Sequence, residues 1–364
     1  MIEAQRGREA LSCQPQTVMI ALGPMRTLTS SDPFALPVHG GDLAAAQARF
    51  GRPAQGWLDL STGINPYSYP VPDMADDIWR RLPGIGEEAE LRAVAAATYG
   101  VDDPDKLVAV SGSQAGIQLL PRMRGYSQVA VVGPTYGEHA ASWAGAGHQV
   151  MTCETLERIG DAEVVVVVNP NNPDGRRYDP LRLLELSQQL ARRGGWLVVD
   201  EAFGEVAPEL SLADKVGPGL VVLKSFGKFY GLAGVRLGFM VADLSLARLL
   251  RQMIGPWSVS GPAIAIGKAA LADTQWQEMN RRRLVEDAAE LDRVLGLAKL
   301  TIAGGTSLFR LVNASRAWAL YEHLGQRGVL VRPFAASPRW LRIGLPDGLA
   351  GRQRLREALS DWVE

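Results

Sequence analysis

The chain has 364 residues, 47% of them hydrophobic, and sets 38 Lys and Arg against 39 Asp and Glu for a net charge of −1. A chain of this length and apolar content buries a large core and reads as two domains. The interspersed, nearly balanced charges leave no electrostatic footprint for nucleic acid, and no apolar run approaches the roughly 20 residues that a membrane helix needs.

Residues 1–34 read as a loose leader. Val18-Met-Ile-Ala-Leu22 is too short for the core of a signal peptide, and Arg6 and Arg8 lie far ahead of it, so Met19 and Met25 stand as alternative starts. Residues 35–64 read as an amino-terminal arm that packs with the small domain. The two cysteines, Cys13 and Cys153, have neither a C-x-x-C partner nor a His cluster and read as reduced thiols of a cytoplasmic protein. Residues 65–255 carry short β-branched runs alternating with helical patterns. Strands are expected at Leu107–Val110, Gln128–Val132, 148–151, 163–168, 196–200, 220–224 and 236–241. A helix is expected at 182–193, closed by Gly194-Gly195. Such alternation predicts an α/β domain with a mostly parallel seven-stranded sheet and chemistry at the carboxyl ends of its strands. From 256 to 364 the pattern becomes that of a smaller α+β domain: a long charged helix at 278–297, a strand at 308–312, a helix at 316–326 and a strand at 329–332.

Several chemistries lack their residues. No G-x-G-x-x-G follows a strand, the four histidines have no ligand spacing for a metal, and there is no G-x-S-x-G elbow. The most informative stretch is Ser225-Phe226-Gly227-Lys228 at the end of the apolar run Leu220-Val-Val-Leu223, followed by Arg236 in Gly231-Leu-Ala-Gly-Val-Arg-Leu-Gly238. A lysine that forms a Schiff base with an aldehyde cofactor needs rigid placement, and the cofactor's phosphate needs donors. Ser225 and Arg236 supply them, the arginine through a planar fork. Lys224 is the rival lysine, but only Lys228 has the serine three before it and the arginine eight after.

Upstream lie Val108-Ala-Val-Ser-Gly-Ser-Gln-Ala-Gly116, Val164-Val-Val-Val-Val168 running into Asn169-Pro-Asn-Asn-Pro-Asp-Gly175, and Leu197-Val-Val-Asp-Glu-Ala-Phe203. In this order, with these spacings to Lys228, they resemble the fold-type I aminotransferase superfamily, which uses pyridoxal 5′-phosphate (PLP). The resemblance runs from about His39 to near Leu345. It implies that Gly112, Ser113 and Gln114 offer backbone N–H groups to the phosphate at a helix start. Asp200 keeps the pyridine nitrogen protonated, Asn172 donates to the ring O3′, Tyr136 stacks on the ring, and Lys228 carries the cofactor. Phe203 stands where many aminotransferases have a tyrosine, and Leu82-Pro83 where histidinol-phosphate aminotransferases carry Tyr-Pro.

The amino-terminal side points to one branch. His39-Gly-Gly-Asp42, Leu58-Asp-Leu-Ser-Thr-Gly-Ile-Asn-Pro66 and Pro256-Trp-Ser-Val-Ser260 are similar to the threonine-phosphate decarboxylases of cobalamin biosynthesis. Asp42 and Thr62-Gly63 depart from that branch's usual residues. The resemblance implies decarboxylation of L-threonine O-3-phosphate, a small phosphorylated amino acid, to (R)-1-amino-2-propanol O-phosphate by a homodimer. Arg342 would meet an anionic group of the substrate, His39 with Arg332 its phosphate, and Asn65 is placed with them. The alternatives are an aminotransferase acting on histidinol phosphate or a similar amine, and a non-catalytic PLP-binding regulator, for which the chain has no DNA-binding helix-turn-helix.

Overall fold

The computed structural model describes residues 39–363. The expected leader, with Cys13, Met19 and Met25, and the first residues of the arm lie outside them. α1 (Leu43–Phe50) starts at Asp42, whose carboxylate accepts from the Ala45 N–H at 2.9 Å, and precedes the short strand β1 (Leu58–Asp59). α2 (Ile85–Tyr99) leads into β2 (Leu107–Val110), α3 (Ser113–Leu119), β3 (Gln128–Val132), α4 (Glu138–Gly145), β4 (Gln149–Cys153) and β5 (Val164–Val168). Next come α5 (Pro180–Ala191), β6 (Trp196–Glu201), β7 (Leu220–Ser225), the single turn α6 (Phe226–Phe229) and β8 (Gly238–Val241). α7 (Leu244–Ile254), α8 (Gly261–Ala272) and α9 (Thr274–Leu297) are followed by β9 (Thr301–Thr306) and β10 (Phe309–Asn313). The chain closes with α10 (Ala317–Gln326), β11 (Val329–Leu330), β12 (Arg332–Pro333), β13 (Trp340–Gly344) and α11 (Gly348–Leu359).

β2 to β8 form one seven-stranded sheet in the order β2-β8-β7-β6-β5-β3-β4. β4, β3, β5, β6 and β7 pair in parallel; β8 runs antiparallel to both β7 and β2. The all-valine strand shows why the sheet is buried on both faces. Val165 and Val167 belong to one buried apolar cluster, with Leu91, Leu183 and Leu190, while Val164 and Val166 belong to another, with Ile117, Trp143 and Leu250. A fully buried side chain of this kind contributes about 1.5–3 kcal/mol. The mostly parallel sheet expected from the sequence is present.

Three expected boundaries move for physical reasons. The strand expected at 236–241 starts at Gly238, because Arg236 has φ +55° and cannot continue an extended ladder. The strand expected at 148–151 starts at Gln149. His148 instead sits in the core, its Nδ1 accepting from the Ser127 N–H at 3.1 Å and its Nε2 on the Pro121 carbonyl at 2.7 Å. The strand expected at 329–332 is two: Val329 and Leu330 pair with β1, and Arg332 and Pro333 with β13.

A second sheet has the order β12-β13-β10-β9 and is antiparallel throughout. The arm is stitched to this part of the chain: β1 pairs in parallel with β11, and the Leu60 carbonyl accepts from the Gly344 N–H at 2.7 Å. No helix among the described residues is long and apolar enough to cross a membrane.

Candidate active site

A cavity of about 700 Å³ opens where β2, β3, β5, β6 and β7 end. Its wall includes Ser113, Gln114, Tyr136, Asn172, Asp200, Phe203, Ser225, Lys228 and Arg236 from the large sheet and the turns after its strands. His39 from the arm and Arg332 and Arg342 from the second sheet complete it. Twelve of the fourteen residues expected from the sequence therefore share one wall. Gly112 lies just behind it, and Asn65 does not line it.

Lys228 sits in α6, directly after the buried strand β7. Its ammonium pKa is pushed down to about 8, by burial first and then by Arg342 and Arg236, against the opposing pull of Asp200. A neutral, nucleophilic amine is thus accessible near neutral pH. Lys224, by contrast, is 2% exposed and points into a different core. There it pairs with Glu201 at 2.9 Å and Glu205 at 3.3 Å, which hold it charged.

On one side of Lys228 the donors converge. Gly112 has φ +80°, and a Cβ there would lie 2.6 Å from Arg236 Nη2, so only glycine lets the start of α3 approach this guanidinium. Ser225 and Ser113 complete a cradle of hydroxyl, guanidinium and helix-start N–H groups, the chemistry a phosphate requires. On the other side, the Asp200 carboxylate is buried, with Oδ1 accepting from the Ala202 N–H at 2.9 Å and Oδ2 2.8 Å from His139 Nε2. A buried carboxylate at the end of β6 suits a ring nitrogen that must stay protonated. Asn172 is oriented by chemical necessity. Arg342 Nη1 donates to its Oδ1 at 2.5 Å, and since arginine only donates, the amide's own donors turn away from the guanidinium. Tyr136 donates to Gln114 Oε1 at 3.1 Å, and burial, then Glu138 and Asp200, push its pKa up to about 12, so its hydroxyl stays protonated. Phosphate cradle, buried carboxylate, amide donor, aromatic face and low-pKa amine together fit PLP.

Arg342 and Arg332 are direct cross-strand partners on β13 and β12. Like charges on one rung repel; burial first, and then Arg332, bring the Arg342 pKa down to about 10. Arg342 also donates from Nη2 to the Ser61 carbonyl at 2.8 Å, while its Nε is buried without a protein partner among the described residues. Asn65 corrects the expectation set for it. Its N–H donates to the Lys228 carbonyl at 3.0 Å, its amide to the Phe229 carbonyl at 2.7 Å, and its Oδ1 accepts from the Tyr67 N–H. With its polar groups committed, Asn65 clamps the lysine turn from behind.

Sequence reasoning missed His139 and Glu138, which follow Tyr136 within three residues and begin α4. The visible signal was a Glu-His pair placed straight after a strand-end aromatic. It also missed what Gly63 does: a Cβ there would lie 2.8 Å from Phe203 and 3.0 Å from Phe309, whose rings meet edge-on at 5.1 Å.

The family model for aminotransferase class I and II matches residues 58–356, and the chain belongs to this family. It is a PLP-dependent enzyme. The chain is 42% identical over 330 residues to the threonine-phosphate decarboxylase of Pseudomonas aeruginosa, covering 90% of this chain and 98% of that one. It is 43% identical to the threonine-phosphate decarboxylase of a Sinorhizobium species, covering 89% and 97%. Among solved structures, the histidinol-phosphate aminotransferase of Sinorhizobium meliloti in complex with pyridoxal-5′-phosphate superposes with a TM-score of 0.79. It does so at 24% identity, over 94% of this chain and 98% of that chain.

Proposed function

We propose that this enzyme decarboxylates L-threonine O-3-phosphate to (R)-1-amino-2-propanol O-phosphate, the linker precursor in cobalamin biosynthesis. The observation that carries the reading is the Arg332–Arg342 rung in the cavity wall, with an orphaned buried Nε on Arg342. Two guanidiniums and His39 suit a ligand bearing both a carboxylate and a phosphate. The relatives at 42% and 43% identity favour this substrate class over others the fold hosts.

When bound, PLP supplies an aldehyde for the substrate amine and an electron-withdrawing ring that weakens one bond at its Cα. In this reading Lys228 would hold the cofactor through its aldehyde, and its amine would move a proton at the substrate's Cα. Ser225, Arg236 and the Gly112–Gln114 turn would hold the phosphate, Asp200 would hold the ring-nitrogen proton, and Asn172 would donate to the ring oxygen. Arg342 with Arg332 and His39 would orient the substrate, and Phe203, backed by Phe309, would keep water off that wall. Purified protein supplied with PLP and L-threonine O-3-phosphate, without any keto acid, should release CO₂ over many turnovers. No CO₂, with turnover of histidinol phosphate only when 2-oxoglutarate is added, would make it an aminotransferase.

The same proposal includes the division into arm (35–64), large (65–255) and small (256–364) domains, for which the separation of the seven-stranded from the four-stranded sheet speaks. It also includes a cytoplasmic homodimer. Support for the dimer comes from large apolar side chains left in the open, Trp79, Leu82, Ile85 and Trp257, at 65%, 64%, 89% and 56% exposure. Sedimentation that finds a fully active monomer would refute it, and cell fractionation tests the compartment.

A further inference from the structure

Two carboxylates line the cavity, and only Asp200 has a part in holding the cofactor. Glu138, at the start of α4, is the other. Its Oε1 lies 3.2 Å from His39 Nε2, and its Oε2 accepts from Gln114 Nε2 at 3.3 Å. Gln114 in turn takes the Tyr136 hydroxyl on Oε1 at 3.1 Å, and the His39 and Tyr136 rings sit 6.1 Å apart. The polarity of this chain is determined throughout. The Glu138 carboxylate only accepts, so the Gln114 amide nitrogen faces it, the Gln114 oxygen faces the Tyr136 hydroxyl, and that hydroxyl donates. The second oxygen of Glu138 meets His39, whose side chain is 53% exposed.

We propose that Glu138 is a positioning residue for recognition of the substrate's phosphate: it holds the His39 ring through Oε1 while Oε2 ties it, through Gln114, to the ring-stacking Tyr136. The proposal rests on the reading of the substrate as a phosphorylated amine. A bare carboxylate in a cavity lined by Arg332 and Arg342 would oppose such a ligand; one whose two oxygens are bound to His39 and Gln114 instead presents an imidazole oriented toward it. The selectivity for phosphorylated over unphosphorylated substrate therefore passes through two residues acting as a unit.

A double-mutant cycle on that selectivity tests the assignment. For each protein, kcat and KM are measured with L-threonine O-3-phosphate and with free L-threonine, and thermal melts confirm folding. Glu138→Gln keeps the size of the side chain but loses the charge that faces His39. It should lower the preference for the phosphorylated substrate about tenfold, mainly through KM, as loss of one charge-assisted hydrogen bond does. His39→Gln should do the same, and the double variant should be no worse than the worse single. Additive losses, an unchanged preference in Glu138→Gln, or a fall in kcat at constant KM would overturn the proposal. If the wild-type protein instead turns over histidinol phosphate with 2-oxoglutarate, the decarboxylase reading fails. The same cycle, run on histidinol phosphate against histidinol, then decides the role of Glu138 separately.

Discussion

His139 Nε2 lies 2.8 Å from Asp200 Oδ2, with both side chains almost wholly buried, so the carboxylate proposed to meet the cofactor's ring nitrogen is held by a residue from a different strand end. The imidazole orients Asp200 from α4, while the Ala202 N–H holds its other oxygen. His139→Phe leaves Asp200 without that partner. A hydrogen bond to a charged group is worth about 1.5–3 kcal/mol, and PLP should dissociate correspondingly faster, as read by cofactor lost on dialysis. Retention equal to wild type would mean that Asp200 needs no second support.

Arg236 faces the phosphate cradle with φ +55°, a backbone state that costs a non-glycine residue of order 1–3 kcal/mol and persists where the surroundings demand it. Arg236→Ala should weaken PLP binding by about 2–5 kcal/mol, because the buried phosphate is left short of a charge partner. Unchanged affinity in a PLP titration of the apoprotein would reduce Arg236 to a structural role.

The two lysines separate by experiment. Lys224→Met strips Glu201 and Glu205 of their buried counter-charge and should destabilise the fold by about 3–5 kcal/mol in urea, without removing the amine that carries PLP. Lys228→Met should abolish PLP that survives gel filtration. Covalent retention of PLP in Lys228→Met would transfer the role to Lys224.

Lys228 also imposes a pH dependence on the apoprotein. Its folded pKa is about 8, below the roughly 10.4 of an unfolded lysine. Between these values the unfolded chain binds the proton and the folded one does not, so stability rises with pH across that window. Below about pH 8 both states are protonated and the penalty of burying the charge is present in full. The urea midpoint of apoprotein should therefore climb more from pH 7.5 to pH 10 than that of Lys228→Met. Parallel curves would show that the burial of Lys228 carries no such linkage.

Gly63 and Phe203 are mutually dependent. A Cβ at 63 would fall 2.8 Å from the Phe203 ring, which is already wedged against Phe309. Gly63→Ala should cost about 1–3 kcal/mol by overpacking, and Phe203→Leu should recover part of it. A neutral Gly63→Ala in thermal melts would show that the wall yields.

The sequence by itself determined the α/β class and the strands of the large sheet, and it singled out Lys228 over Lys224 as the candidate lysine. A run such as Val164-Val-Val-Val-Val168 has no polar face to offer, so it belongs inside a covered sheet, and catalytic residues at such strand ends are legible from position alone. It also brought Ser225, Lys228 and Arg236 together, since they are near neighbours in the chain. Only the tertiary structure decided that His139 supports Asp200, that Arg332 and Arg342 share a rung, that Glu138 meets His39 and that Asn65 turns its amide to the Phe229 carbonyl. Each of these depends on the register of one strand against another, or on the path of a turn between distant elements. Periodicity reports which face of an element is buried; it carries no information about which side chain waits on the other side.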